Sequence, residues 1–67
     1  MGGEIMHPLE HEIQALNDAY EMGEIDRNER DYLLLEIRDI RAAQECAGNE
    51  QLARQIYQAC NVAMAVL

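Results

Sequence analysis

Residues 23–32 read GEIDRNERDY, and this stretch decides the fold because it ends one helix and begins the next. Gly23 suits the left-handed backbone conformation in which many helices terminate. Asp26 is a preferred capping residue, and Glu29 stands three positions further on, from where its side chain can reach back to the cap. The stretch therefore predicts a short connection between two helices.

Upstream of this connection, apolar residues recur three or four positions apart and form one helical stripe. They are Ile5, Leu9, Ile13, Leu16 and Tyr20. Pro8 suits a first helical turn, where its missing N–H group would have had no partner. We therefore predict a first helix over about residues 8–22, preceded by a flexible N-terminus of residues 1–7.

Downstream, a second helix is predicted over about residues 27–47, because Gly48 supplies another left-handed terminator. Its main apolar stripe is predicted to be Leu33, Ile37, Ile40 and Ala47. Asn49 is a second capping residue, and a third helix follows over about residues 50–66. Short links favour antiparallel neighbours. We predict an all-α fold and a single domain over residues 8–67, in which three short helices form two successive antiparallel hairpins completed by oligomerisation.

Charge limits the partners that this chain binds. Its 67 residues carry 13 acids and 5 arginines but no lysine, and the formal net charge is −8. The arginines are interspersed with acids, and the pairs Asp26/Arg30 and Arg41/Glu45 have the four-residue spacing of helical ion pairs. Nucleic-acid binding needs a basic stripe, and anionic membranes repel negative charge. We therefore predict no direct nucleic-acid binding and no membrane binding.

The sequence HPLEH at residues 7–11 has the H-x-x-E-H order of one class of zinc peptidase. A catalytic zinc site also needs a third protein ligand, an open coordination position and a dry cleft. Three short helices cannot enclose such a cleft in addition to a core. We interpret His7 and His11 as surface residues at the start of a helix, and we predict no metal site and no cofactor.

Other catalytic chemistry is equally restricted. The chain contains no serine, threonine or lysine, which excludes most hydroxyl nucleophiles, Schiff-base lysines and phosphate-binding loops. Cys46 and Cys60 are predicted on consecutive helices about three turns apart, too far for a disulfide. We interpret them as reduced thiols that pack as small apolar groups. The chain is therefore predicted to have no catalytic residues, not to be an enzyme, and to be cytoplasmic.

Apolar side chains exceed what one small core needs. On the second helix Leu35, Ala42 and Cys46 lie roughly opposite the main stripe, and a helix with two apolar faces needs two partners. We predict self-association through the second and third helices as a homodimer or higher oligomer. The predicted interface consists of Leu35, Cys46, Ile56, Tyr57, Cys60, Met64 and Leu67. The alternative is that the first and third helices cover both faces within one chain.

Three functions fit this description. We predict a non-enzymatic intracellular module that self-associates and binds another protein. The first alternative is an acidic inhibitor or regulator, of the kind that phages and plasmids encode, which blocks a basic surface of a target, for example one that binds nucleic acid. The acidic surface facing the partner would consist of Glu21, Glu24, Asp26, Glu29 and Asp31. The second alternative is a scaffolding subunit of an assembly such as a virus particle, located in the host cytoplasm.

Overall fold

The computed structural model describes residues 7–67 and is all-helical over that range, with three helices. Helix α1 spans Pro8–Glu21, α2 is built from the consecutive stretches Arg27–Glu36, Ile37–Arg41 and Ala42–Glu45, and α3 spans Glu50–Met64. The helices begin at the predicted residues and end one or two residues earlier. Apart from His7, the N-terminus predicted to be flexible lies outside the described residues.

Local capping by the predicted residues sets the helix ends, although the Glu29 side chain accepts no hydrogen bond from the backbone of Asp26. The side-chain oxygens of Asp26 and Asn49 each accept a hydrogen bond from the backbone N–H three residues on, at 2.7 and 3.1 Å. Gly23 and Gly48 follow α1 and α2 with φ angles of 79° and 80°, in the left-handed region that glycine adopts without a steric penalty. These four residues fix both connections through interactions that are local in the chain.

The core lies between the three helices, each of which contacts the other two. Its buried apolar residues are Leu9, Ile13, Leu34, Ile37, Ala42, Cys46, Ile56, Cys60 and Ala63. Complete burial of a leucine or isoleucine side chain stabilises a fold by about 1.5–3 kcal/mol. All three helices therefore contribute to a single small core.

The middle stretch of α2, Ile37–Arg41, is π-helical, and it changes which face of the helix is buried. The backbone N–H of Ala42 donates to the carbonyl of Ile37, five residues earlier, instead of the usual four. The additional residue in this turn rotates the rest of α2. Ala42 and Cys46 are buried, whereas Ile40 is 51% exposed. The predicted main stripe is therefore wrong beyond Ile37, because it extended an α-helical period across a π-helical turn.

Arg30, in the first turns of α2, is completely buried. Its guanidinium donates hydrogen bonds to the main-chain carbonyls of Val66 at 2.7 Å and Met64 at 3.3 Å. The last carbonyls of a helix have no partner within the helix and need one from elsewhere. Arg30 supplies that partner and fastens the end of α3 to the start of α2.

The other contacts of Arg30 correct a predicted ion pair. Arg30 pairs with Asp31 at 2.9 Å and lies 4.3 Å from the centroid of the Tyr20 ring, a cation–π contact to α1. The pair predicted from four-residue spacing was Asp26/Arg30, but the Asp26 carboxylate caps α2 instead. Buried charge is tolerated where it is paired and hydrogen-bonded. Arg30 meets that condition by contacting all three helices.

Candidate interaction surface

Exposed apolar side chains concentrate on two of the three helices. Of the eight large ones that the described residues expose, seven lie on α2, on α3 or directly after α3. These seven are Tyr32, Leu35, Ile40, Tyr57, Val62, Val66 and Leu67. The eighth is Met22, which follows α1. Exposed apolar surface of this kind, when contiguous, marks an interaction site.

Two shallow depressions make part of that surface continuous. The first is lined by Tyr32, Leu35, Glu36, Asp39 and Ile40. The second is lined by Arg38, Asp39, Tyr57 and Asn61. Because Asp39 belongs to both, the two depressions form one surface across α2 and α3, which we call the outer face. Tyr32, at 68% exposure, is its most exposed apolar residue.

The centre of the outer face is polar and locally charge-balanced. Arg38 Nε donates to the Asp39 carboxylate at 2.9 Å, and Arg38 Nη1 donates to the side-chain oxygen of Asn61, also at 2.9 Å. The hydrogen bond to Asp39 raises the pKa of Arg38. The bond to Asn61 links α2 to α3. A partner that covers this centre meets a charge pair whose hydrogen bonds are already formed, which limits the cost of desolvation.

The structure divides the seven predicted interface residues into two groups. Cys46, Ile56 and Cys60 are buried in the core, so they are covered within one chain and do not reach a partner. Leu35, Tyr57 and Leu67 are exposed, and Met64 packs half-buried against the core. The predicted self-association therefore depends on the exposed members of the set. Sequence reasoning did not include Tyr32 in the interface. It placed Ile40 in the core stripe because it extended an α-helical period across the π-helical turn.

Both cysteines are free and buried, as the sequence predicted. Burial raises the pKa of Cys60 to about 11, and it also raises the pKa of Cys46 above its usual value. A neutral thiol packs as a small apolar group and is a poor nucleophile. Neither cysteine is therefore placed in surroundings that activate it.

One of the two histidines of HPLEH takes part in a helix cap. His7 is the N-cap residue of α1: its Nδ1 accepts a hydrogen bond from the Leu9 backbone N–H, and its own N–H donates to the Glu10 carboxylate, both at 3.0 Å. His11 is exposed. Over residues 7–67, no group of three or more histidine, cysteine, aspartate or glutamate residues could hold a metal ion. The H-x-x-E-H order corresponds here to capping chemistry.

The five acids predicted to face a partner lie around the connection between α1 and α2. Glu21, Glu24 and Glu29 are exposed. Asp26 is exposed as well, but its carboxylate caps α2. Asp31 is half-buried and pairs with two arginines of α2 at 2.9 and 3.8 Å. Two of the five acids therefore serve the fold itself, and three remain candidates for contact with a partner.

A further depression lies between α1 and α2, and sequence reasoning missed it. Its floor is formed by the apolar residues Ala15, Leu16, Leu33 and Ile37. Its rim is charged and consists of Glu12, Glu36 and Arg41. We call this depression the α1–α2 groove. It depends on how α1 packs against α2, which the period of either helix alone does not specify.

Comparison with known proteins assigns no relative to this chain. No family model, no curated protein and no solved structure matches it. Among the residues that the structure describes, no helix combines the length and the apolar character that crossing a membrane requires. The fold and the surface therefore define the class by themselves: a small, acidic, all-helical protein that exposes apolar side chains on two helices.

Proposed function

We propose that this chain is a non-enzymatic protein–protein interaction module that self-associates through the outer face and binds a second protein. The observation that carries the proposal is that seven of the eight large exposed apolar side chains lie on α2, on α3 or directly after α3. Four of these seven line the outer face: Tyr32, Leu35, Ile40 and Tyr57. A domain of this size buries only about 60% of the surface that its unfolded chain exposes. A second copy would supply the missing apolar burial.

We also propose that the helices form two successive antiparallel hairpins. Arg41, near the end of α2, pairs with Glu12, near the start of α1, at 2.8 Å. Arg30, near the start of α2, lies against Tyr20 at the end of α1 and donates to the carbonyl of Met64 at the end of α3. These contacts join opposite ends of consecutive helices, as antiparallel packing requires.

The outer face suits a second copy of the same chain. Tyr32, Leu35 and Ile40 are exposed on one side of α2, and Tyr57 of α3 lies across the Arg38–Asp39 pair from them. Two identical faces of this kind can pack symmetrically, since the charge at their centre is already balanced. The free, buried thiols fit a reducing compartment, so we place the module in the cytoplasm.

Light scattering behind size-exclusion chromatography, over a concentration series, tests self-association. We expect a molar mass that is a stable multiple of 7.6 kDa. Leu35→Glu should shift the chain to the monomer, because it places a charge in the apolar part of the outer face. Gln14→Glu adds the same charge on an exposed position of α1 and should leave the mass unchanged. A wild-type monomer at micromolar concentration, with stability unaffected by Leu35→Glu, would contradict the proposal.

A second candidate function is an acidic inhibitor of a basic target. The observation that favours it is the group of exposed carboxylates Glu21, Glu24 and Glu29 beside Met22, which is 73% exposed. Binding of this kind would weaken steeply as salt is added, because exposed charges are screened. Affinity for the target that is equal at low and high salt would exclude it. A scaffolding subunit would assemble through the same outer face as the proposed module.

A further inference from the structure

We infer that the α1–α2 groove recognises the second protein, and that it takes a basic segment with one bulky apolar side chain flanked by lysine or arginine. The inference rests on the proposed function in one respect, the binding of another protein. It does not depend on self-association, because the outer face and the groove have different apolar residues.

The size and lining of the groove suit a single large apolar side chain. Ala15 is exposed, Leu16 and Leu33 are half-buried, and Ile37 closes the floor. The groove has a volume of ≈ 250 Å³. An apolar cavity of about 150 Å³ accommodates benzene. The groove therefore has room for one leucine, methionine or phenylalanine side chain from a partner.

The rim of the groove carries excess negative charge. Arg41 donates two hydrogen bonds to Glu12, at 3.1 and 2.8 Å, and one to Glu45 at 2.9 Å, so its charge is already compensated. Within the described part of the chain, Glu36 forms no ion pair. The rim thus has two carboxylates and one guanidinium, and that guanidinium also binds Glu45 outside the groove. Electrostatic complementarity then favours a partner with positive charge beside its apolar side chain.

A second copy of this chain is a poor occupant of the groove. The chain has a formal net charge of −8, and its outer face brings the acids Glu36 and Asp39 with its apolar side chains. Like charges brought together across an interface oppose binding. The outer face, where Asp39 is paired with Arg38, suits a second copy, whereas the groove, whose rim has more carboxylates than guanidinium groups, suits a different and basic protein.

The π-helical segment of α2 is an independent observation that marks the groove. Its first and last residues, Ile37 and Arg41, both line the groove, and Leu33 lines it one turn earlier. π-Helical turns are rare and occur frequently at functional sites. Here the turn places the apolar floor residue Ile37 and the rim residue Arg41 in one wall, next to the Glu12 that Arg41 binds.

An NMR titration of the isotope-labelled full chain tests the inference. The ligand is a short peptide with phenylalanine at its centre and two lysines on each side. We expect amide shifts centred on the groove-lining residues. Ala15→Leu fills the groove and should weaken binding about tenfold or more. Gln14→Leu introduces the same leucine side chain at a neighbouring exposed residue outside the groove, and it should have no effect.

A second matched pair of variants tests the contribution of the negative charge at the groove rim. Glu36→Gln at the groove rim should weaken binding about two- to fivefold, the range of a partly exposed ion pair. Glu50→Gln removes the same charge from an exposed residue at the start of α3, outside the groove, and should leave affinity unchanged. A peptide with alanine in place of phenylalanine should lose most of its affinity.

Several results would overturn the inference: shifts centred on the outer face, equal effects of Glu36→Gln and Glu50→Gln, or no binding of the phenylalanine peptide at millimolar concentration. Repeating the titration with Leu35→Glu separates the two proposals. Binding that survives in a monomeric chain supports the groove even if self-association fails. A stable oligomer that does not bind the peptide supports self-association and excludes the groove as the binding site.

Discussion

Arg30 donates a hydrogen bond of 2.7 Å to the main-chain carbonyl of Val66, a residue 36 positions later in the chain. The contact joins the start of α2 to the segment that follows α3. Because Arg30 is completely buried, its charge depends on these partners for the hydrogen bonds that water would otherwise supply. One side chain thus connects elements that are distant in sequence.

Arg30→Ala should lower the free energy of unfolding by about 3 kcal/mol, the loss typical of breaking a buried, hydrogen-bonded charge cluster. That is a large part of the roughly 3–10 kcal/mol expected for a domain of this size. Urea unfolding measures the difference. Arg27→Ala is the control, because Arg27 is 53% exposed and pairs loosely with Asp31. Equal losses in the two variants would show that Arg30 is no more important than a surface arginine.

Gly23→Ala should lower the free energy of unfolding by about 1 kcal/mol, because an L-residue pays that cost in the left-handed region. A Cβ atom at Gly23 would meet nothing within 4 Å, so the cost comes from the φ angle of 79° and not from a clash. Gly23→Asn should cost less, since asparagine tolerates this conformation. Thermal and urea unfolding of both variants measure which of the two is more stable. An asparagine variant as unstable as the alanine variant would contradict the prediction.

Ile40→Gln and Ala42→Gln test the π-helical register of α2. Ile40 is 51% exposed and Ala42 is completely buried. Glutamine at 42 should therefore destabilise the fold by about 2 kcal/mol or more through overpacking and burial of an amide. Glutamine at 40 should cost little. A continuous α-helix predicts the opposite order, and unfolding measurements in the Leu35→Glu background decide between them without a contribution from self-association.

Cys60 should make stability fall at alkaline pH. Its pKa is raised by burial from an ordinary value of 9.0 to about 11. As pH rises through this window, the unfolded chain loses the thiol proton first, so ionisation favours the unfolded state. The free energy of unfolding should therefore fall between about pH 9 and pH 11 and then level off with respect to this group. Cys60→Ala should lack this component, and identical pH profiles of the two chains would contradict the assignment.

The starts of the helices could be predicted because they are set by chemistry within a few residues. Asp26, Asn49, Gly23 and Gly48 act on backbone groups close to them in the chain, and all four adopt the predicted roles. Arg30 could not be assigned in the same way. Its spacing from Asp26 suggested a surface ion pair, whereas its partners Val66 and Met64 are brought close only by packing.

The candidate surfaces could also be predicted only in part from the sequence. The sequence indicated surplus apolar residues on the second and third helices, and Leu35 and Tyr57 are indeed exposed there. It placed Cys46 at an interface because an α-helical period puts it opposite Ile37. The π-helical turn brings Cys46 to the core and Ile40 to the outside. A single additional residue in one turn therefore decides which apolar side chains are exposed.

The sequence by itself determined the number of helices, their capped starts and their acidic character, because these follow from local propensity, periodicity and composition. Tertiary structure decided the register of α2 beyond Ile37, the burial of Arg30 and the existence of the α1–α2 groove. The reason is physical. A π-helical turn and a buried charge are each unfavourable alone, and they persist only where contacts between distant segments compensate their cost.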